Sequence, residues 1–116
     1  MKNDKENLIG NLSFEFASEI IEFTELFESK RKFIIANQVF RSGTSIGANI
    51  KEAQNAESKS DFIHKMKIAA KEADETEYWL LLCQFAKKYP LDETLLVKLD
   101  EIINILSKII STSKNK

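Results

Sequence analysis

The sequence predicts an all-α protein, an antiparallel up-down-up-down four-helix bundle with helices over about 13–28, 33–56, 60–88 and 92–111. Three observations point there. The 116 residues include only three Gly and one Pro, too little punctuation for a strand-and-turn fold. Apolar residues recur every three to four positions in four separate segments. The links between those segments are short, so consecutive helices must fold back on one another. A chain of this length makes one domain, 1–116, burying roughly two-thirds of its unfolded surface. Residues 1–10 and 112–116 read as flexible ends.

Ser13 reads as the N-cap of the first helix. Phe16, Ile20, Phe23 and Phe27 form its apolar stripe, and Glu15, Glu19 and Glu22 form a solvated acidic face opposite. After the charged link Ser29-Lys-Arg-Lys32, the second helix carries Ile35, Val39, Ile46, Ile50 and Ala53 on one stripe. Gly43 lies beside that stripe, with Ala36 and Gly47 farther round. A mid-helix glycine costs roughly 1 kcal/mol against alanine, so two of them point to close approach of a neighbouring helix. Ser58, with Asp61 three residues on, offers a capping-box-like start to the third helix. That helix has two apolar stripes: Phe62, Met66, Ala69, Ala73 and Leu80, and about 100° round, Ile68, Trp79 and Ala86. A helix apolar on two faces is buried on two faces, which makes Ile68, Trp79 and Leu82 candidates for contact with another subunit. Pro90 ends the third helix and Asp92 caps the fourth. Leu95, Leu99, Ile102, Leu106 and Ile109 make the last stripe.

The net charge of −1 hides an uneven distribution. Residues 1–28 hold seven acidic and two basic side chains, residues 30–71 three acidic and nine basic, and residues 72–101 eight acidic and three basic. A basic middle third suggests a polyanion-binding face. Acidic and basic helices lying side by side would neutralise one another instead, and separation in sequence is not separation in space. A lone cysteine, Cys83, excludes a disulfide or thiolate metal site within one chain. The single histidine, His64, follows Asp61 at carboxylate-x-x-His spacing, but a di-iron bundle needs Glu-x-x-His from two helices and further glutamates. No metal and no cofactor are expected. Ser42, Ser45 and Cys83 have no histidine at matching positions and no Gly-rich phosphate loop is present, so no catalytic residue is assigned. The opening Met1-Lys-Asn-Asp-Lys-Glu has no apolar segment of signal-peptide type, and the apolar run Tyr78–Cys83 is too short to span a bilayer. A cytoplasmic protein with no membrane partner is the expectation.

The most informative stretch runs from Arg41 to Leu82. Ser42, Gly43, Ser45, Gly47, Asn49 and Glu52 form a helix-packing motif in which small residues admit a neighbouring backbone. Arg41, Ser45, Asn49 and Glu52 flank the apolar stripe of the second helix. If the hairpin turns near residue 58, antiparallel partners have numbers summing to about 116. That places Arg41 opposite Glu75, Ser45 opposite Lys71, Asn49 opposite Lys67 and Glu52 opposite His64. Glu72 shares the Glu75 face, so either carboxylate could receive the Arg41 guanidinium, which beside apolar surface needs such a partner. The functional reading makes Arg41 part of a phosphate-contacting surface with Lys67 and Lys71. Lys51 and Lys59, in the same basic segment, complete the candidate nucleic-acid contacts. A helix-turn-helix centred on Gly43 or Gly47 is disfavoured by unbroken helical periodicity through both glycines.

Arg41-Ser-Gly-Thr-Ser-Ile-Gly-Ala-Asn49-Ile-Lys-Glu52-Ala53 resembles the signature of the small bacterial four helix bundle proteins, also called 23S rRNA intervening-sequence proteins. The likeness continues through Ser58-Lys59, Asp61-Phe62-Ile63, Ile68-Ala69, Lys71-Glu72-Ala73, Glu75-Thr76 and Tyr78-Trp79-Leu80. It weakens in helices one and four. Ala53 places this chain with the branch that reads Glu-Ala, where a variant has Gly. The resemblance implies an antiparallel four-helix subunit assembling into a homopentameric ring. A related branch, the accessory protein of diversity-generating retroelements, is a basic pentamer thought to bind nucleic acid and a reverse transcriptase. The present chain departs from it with a pI near 5.9. Together these readings lead to a non-enzymatic oligomeric bundle acting as a binding or scaffold module, with RNA or a nucleic-acid-handling protein as its expected partner. The alternative is a protein-interaction module without a nucleic-acid role.

Overall fold

The computed structural model describes residues 4–115. Four helices follow in chain order: α1 (Asp4–Ser29), α2 (Phe33–Gln54), α3 (Lys59–Phe85) and α4 (Glu93–Lys114). Each packs against its neighbours in sequence and α4 returns to α1, while the diagonal pairs make no close backbone approach among the described residues. That is the all-α, up-down-up-down bundle. Its 47 × 20 × 19 Å envelope follows from helix length, since 26 residues rise about 39 Å.

The core is one continuous cluster. Ile9, Phe16, Ile20, Phe23 and Phe27 of α1 meet Val39, Ile46 and Ile50 of α2, Met66 and Leu80 of α3, and the whole leucine–isoleucine stripe of α4. The two α2 glycines serve the α1 contact. A Cβ on Gly43 would stand 2.9 Å from Ile20 Cγ1, and one on Gly47 3.3 Å from the Ser13 carbonyl oxygen. On its other side, α2 packs against α3, whose Ala69, Ala73 and Thr76 are buried, Thr76 against Ser42.

Helix ends depart from the sequence reading in physically informative ways. α1 starts nine residues before Ser13, which is not an N-cap but a fully buried mid-helix residue donating its hydroxyl to the Gly10 carbonyl at 3.1 Å. Ile9 extends the apolar stripe by one more turn, and the Gln54 amide donates to the Glu6 carbonyl at 2.9 Å, fastening that turn to α2. The supposed flexible lead is therefore helical from Asp4; residues 1–3 lie outside the described residues. α4 likewise runs on through Lys114, into the supposed polar tail, with Lys116 outside the described residues. α2 and α3 stop earlier than expected, at Gln54 and Phe85. Ser58 and Asp92 do cap: Ser58 Oγ accepts from the Asp61 N–H at 3.0 Å and Asp92 Oδ1 from the Thr94 N–H at 3.0 Å.

Candidate functional site

The charged constellation sits where α2 and α3 cross. The Arg41 guanidinium lies between two carboxylates of α3, with Nη1 3.3 Å from Glu72 Oε2 and Nη2 on Glu75 Oε2. The Trp79 indole N–H donates to the same Glu75 oxygen at 3.0 Å. Those two donors, the indole first and Arg41 second, hold the Glu75 carboxyl below its ordinary range. The same contact, with Glu72 adding charge, raises Arg41. One face of α3 is thus committed to α2: Trp79 is half-buried against the core, with its polar atom satisfied.

Just beneath this cluster, Ser42 and Thr76 are fully buried and their hydroxyls lie 2.9 Å apart. Thr76 Oγ1 also reaches the Glu72 carbonyl at 2.7 Å. Thr76 has a single proton, so a chain running from Ser42 to Thr76 to the Glu72 carbonyl satisfies both hydroxyls. Ser45 and Asn49 turn to their own helix instead. Ser45 Oγ donates to the Arg41 carbonyl and Asn49 Nδ2 to the Ser45 carbonyl, the latter at 2.8 Å. Lys71 and Lys67 are not brought to them. Glu52 takes Lys65 Nζ at 2.9 Å rather than His64, one residue away and exposed. Glu19, read as part of a solvated face, pairs with Lys98 of α4, and its other oxygen is buried without a partner.

Cross-helix pairing neutralises Arg41, Lys65 and Lys98, but not the whole basic segment. Lys67 and Lys71, a turn apart on α3, are exposed, and Lys67 meets Lys114 at the end of α4. Contact with the Lys114 amine, then its charge, then burial and the charge of Lys71, pull the Lys67 ammonium below its ordinary value. No carboxylate pairs with these three lysines among the described residues. Lys114 escaped sequence reasoning because the tail showed no reason to be helical. Lys51, exposed in the last turn of α2, and Lys59, at the first residue of α3, lie near the α2–α3 link, apart from that trio.

Two apolar surfaces complete the picture. The groove between α1 and α2 holds a cleft of about 430 Å³, where Phe14, Ala17 and Ala48 stand beside Asn11, Thr44 and Lys51, and a neighbouring one of about 370 Å³, where Ile21 and Phe40 stand beside Glu25 and Glu28. Phe14 is 76% exposed, and Ile21 and Phe40 are exposed too. On α3, Tyr78 and Leu81 are exposed. They lie 11 and 14 residues after Lys67, and so on the same, α4-ward side of the helix. Of the sequence-derived interface candidates, Ile68 is half-buried and Leu82 partly exposed, while Trp79 is used within the subunit. The spacing Phe14–Ala17–Ile21 was the available signal for the α1 surface, masked by the stronger Phe16 stripe.

Other chemistry is thinly supplied. Burial pushes the Cys83 thiol up, making it a poor nucleophile. Among the described residues, no three His, Cys, Asp or Glu side chains come together to hold a metal, and no helix is long and apolar enough to cross a membrane.

Comparison with known proteins gives the architecture a lineage. A crystal structure from Bacteroides thetaiotaomicron, described as a protein of unknown function from the S23 ribosomal protein family, superposes with a TM-score of 0.87 at 42% identity. The match covers 92% of this chain and 98% of that one. No curated protein matches. The family model for the 23S rRNA-intervening sequence protein matches residues 5–112, nearly the whole bundle, and the chain belongs to that family.

Proposed function

We propose that this protein is a non-enzymatic, cytoplasmic, homo-oligomeric scaffold whose subunits bind RNA or a ribonucleoprotein through the basic surface of α3 and α4. The observation that carries the nucleic-acid reading is the Lys67–Lys71–Lys114 cluster. An ammonium offers three donors and no acceptor, so two in contact repel each other. Phosphate oxygens placed between them relieve that repulsion, and release of counterions from the nucleic acid adds to the affinity. Arg41 is not part of this surface, because its guanidinium is committed to Glu72 and Glu75.

Assembly is supported by the two apolar surfaces on opposite sides of the bundle. A two-fold dimer would use one patch twice, whereas two different patches suit a head-to-tail contact that closes into a ring. The Phe14–Ile21–Phe40 groove of one copy would receive Tyr78 and Leu81 of the next. Family resemblance implies a ring of five, and repeating the basic cluster around it would raise affinity by avidity.

Retention on RNA at about 50 mM salt, weakening steeply by about 200 mM, is the expected result. Lys67→Glu combined with Lys71→Glu should weaken it and flatten its salt dependence without lowering the melting midpoint. No retention by the wild-type protein even at low salt would leave the apolar surfaces as the functional ones, and the protein-interaction reading would replace this one.

A further inference from the structure

At the end of the bundle opposite Lys114, the α1–α2 and α3–α4 links lie side by side. Lys32 Nζ stands 5.0 Å from the Tyr89 ring centre, and that ring lies 6.2 Å from Phe27. The two links carry Lys30, Arg31, Lys32, Lys87 and Lys88; counting Glu28, Asp92 and Glu93 as well, this end still holds a net charge of +2. Around it Phe33, Ile34, Phe85 and Leu91 are exposed, Phe85 by 91% and Ile34 by 81%. The backbone supplies an independent observation. α1 closes with the Lys32 N–H on the Phe27 carbonyl at 2.8 Å and the Arg31 N–H on the Glu28 carbonyl at 2.9 Å. That pattern puts Arg31 at the left-handed position where glycine is usual, with φ 61°. Lys88 in the other link has φ 77°. Each link therefore holds a long cationic side chain against steric strain that glycine would not feel.

We propose that this end binds single-stranded nucleic acid, with bases stacking on Phe33 and Phe85 and phosphates tracking Lys30, Arg31, Lys87 and Lys88. Exposed aromatic faces among cations hold single strands without sequence preference. A duplex, whose bases are already stacked, offers nothing to those rings. Lys32 is left out, because its ammonium is engaged over Tyr89. The inference rests on the nucleic-acid reading above for the class of ligand but not for its site.

The test is fluorescence anisotropy on the full chain, with an unstructured RNA oligonucleotide and the perfect duplex of the same sequence. The single strand is expected to bind more tightly. Phe33→Ala and Phe85→Ala should each weaken it by about five- to 150-fold, and Phe85→Ala should do so with the melting midpoint unchanged, since its ring is 91% exposed. Arg31→Gly and Lys88→Gly should do what a structural role would not. Each should raise the melting midpoint, lower affinity for the strand and flatten the salt dependence by about 0.7 log unit per log unit for every phosphate no longer neutralised. Equal affinity for duplex and strand, or affinity untouched by these four substitutions, overturns the proposal. If Lys67→Glu with Lys71→Glu alone abolishes RNA binding, the proposed function stands and this site falls. If nothing binds RNA, both fall. Selective capture by phosphatidylserine vesicles in place of RNA would assign the end to lipid and equally overturn it.

Discussion

A methyl group added at Gly43 would stand 2.9 Å from Ile20 Cγ1 and 3.0 Å from its Cγ2. Alanine gains roughly 1 kcal/mol of helix propensity over glycine, while overpacking a core costs about 1–3 kcal/mol. Ile20 is fully buried and branched at Cβ, so it cannot swing clear and the clash wins. Gly43→Ala should destabilise by about 1 kcal/mol and lower the melting midpoint by about 4 °C. The same change in an Ile20→Ala background should be neutral or stabilising, and a penalty unchanged by that background would refute the contact. Glu75 makes a different case. Its folded pKa is depressed, so the stabilisation it brings is present above the ordinary carboxylate value of 4.5 and lost as pH falls through the lower folded value. Arg41 is half-exposed, which limits what Glu75→Gln removes at neutral pH to about 1 kcal/mol. Urea midpoints taken from neutral pH to about pH 3 should show a flatter acid limb in that variant. If the two acid limbs superimpose, Glu75 is not the titrating group.

At the scale of the elements, helix existence was written in the apolar spacing, and helix ends were not. Ser13 looked like a cap because a hydroxyl precedes the Phe16 stripe. Ile9 outweighs that signal by giving one more turn something to bury, and the local sequence around residues 4–10 carries no hint that Gln54 will fasten it. The two serines now make opposite predictions. Ser58→Ala should cost about 1 kcal/mol, the loss of a cap that receives the Asp61 N–H. Ser13→Ala should stay within about 0.5 kcal/mol of wild type, because a mid-helix hydroxyl bonded to its own turn adds little. Equal losses at both sites would restore Ser13 as a helix start. The α2–α3 pairing can be tested in the same way. Thr76→Val alone strands the buried Ser42 hydroxyl and should cost about 1–3 kcal/mol, and adding Ser42→Ala should recover part of it. Hairpin arithmetic placed Arg41 near Glu72 and Glu75 because α2 and α3 are unbroken helices joined by a short link. It failed for Ser45 and Asn49, whose short polar side chains reach their own i−4 carbonyls more easily than another helix.

The whole molecule adds what no single helix reveals: which faces remain uncovered. From the third helix alone, two apolar stripes imply a second subunit, with Ile68, Trp79 and Leu82 as the candidate contacts. Folding half-buries Trp79 against the core and leaves Tyr78, Leu81 and Leu82 exposed, because the direction of the α2 contact fixes which stripe turns inward. Lys114 joins Lys67 for a similar reason, since only the antiparallel return of α4 brings residues so distant in sequence together. If the ring is head-to-tail, each subunit has one donor face and one acceptor face, and they can be damaged separately. Phe14→Glu spoils the α1–α2 groove and Leu81→Glu spoils the opposite face. Both side chains are exposed in the subunit, so each variant should keep its helix content and melt cooperatively while sedimenting as a monomer. Mixing the two variants separates the geometries. The intact α3 face of the Phe14→Glu chain still fits the intact groove of the Leu81→Glu chain, giving a one-to-one heterodimer that grows no further, because both remaining faces are spoiled. A two-fold contact built on either patch would give no such heterodimer, since one partner of every mixed pair would carry the damage. Sedimentation of the equimolar mixture decides between them, and a wild-type protein that sediments as a compact monomer at micromolar concentration removes the ring altogether.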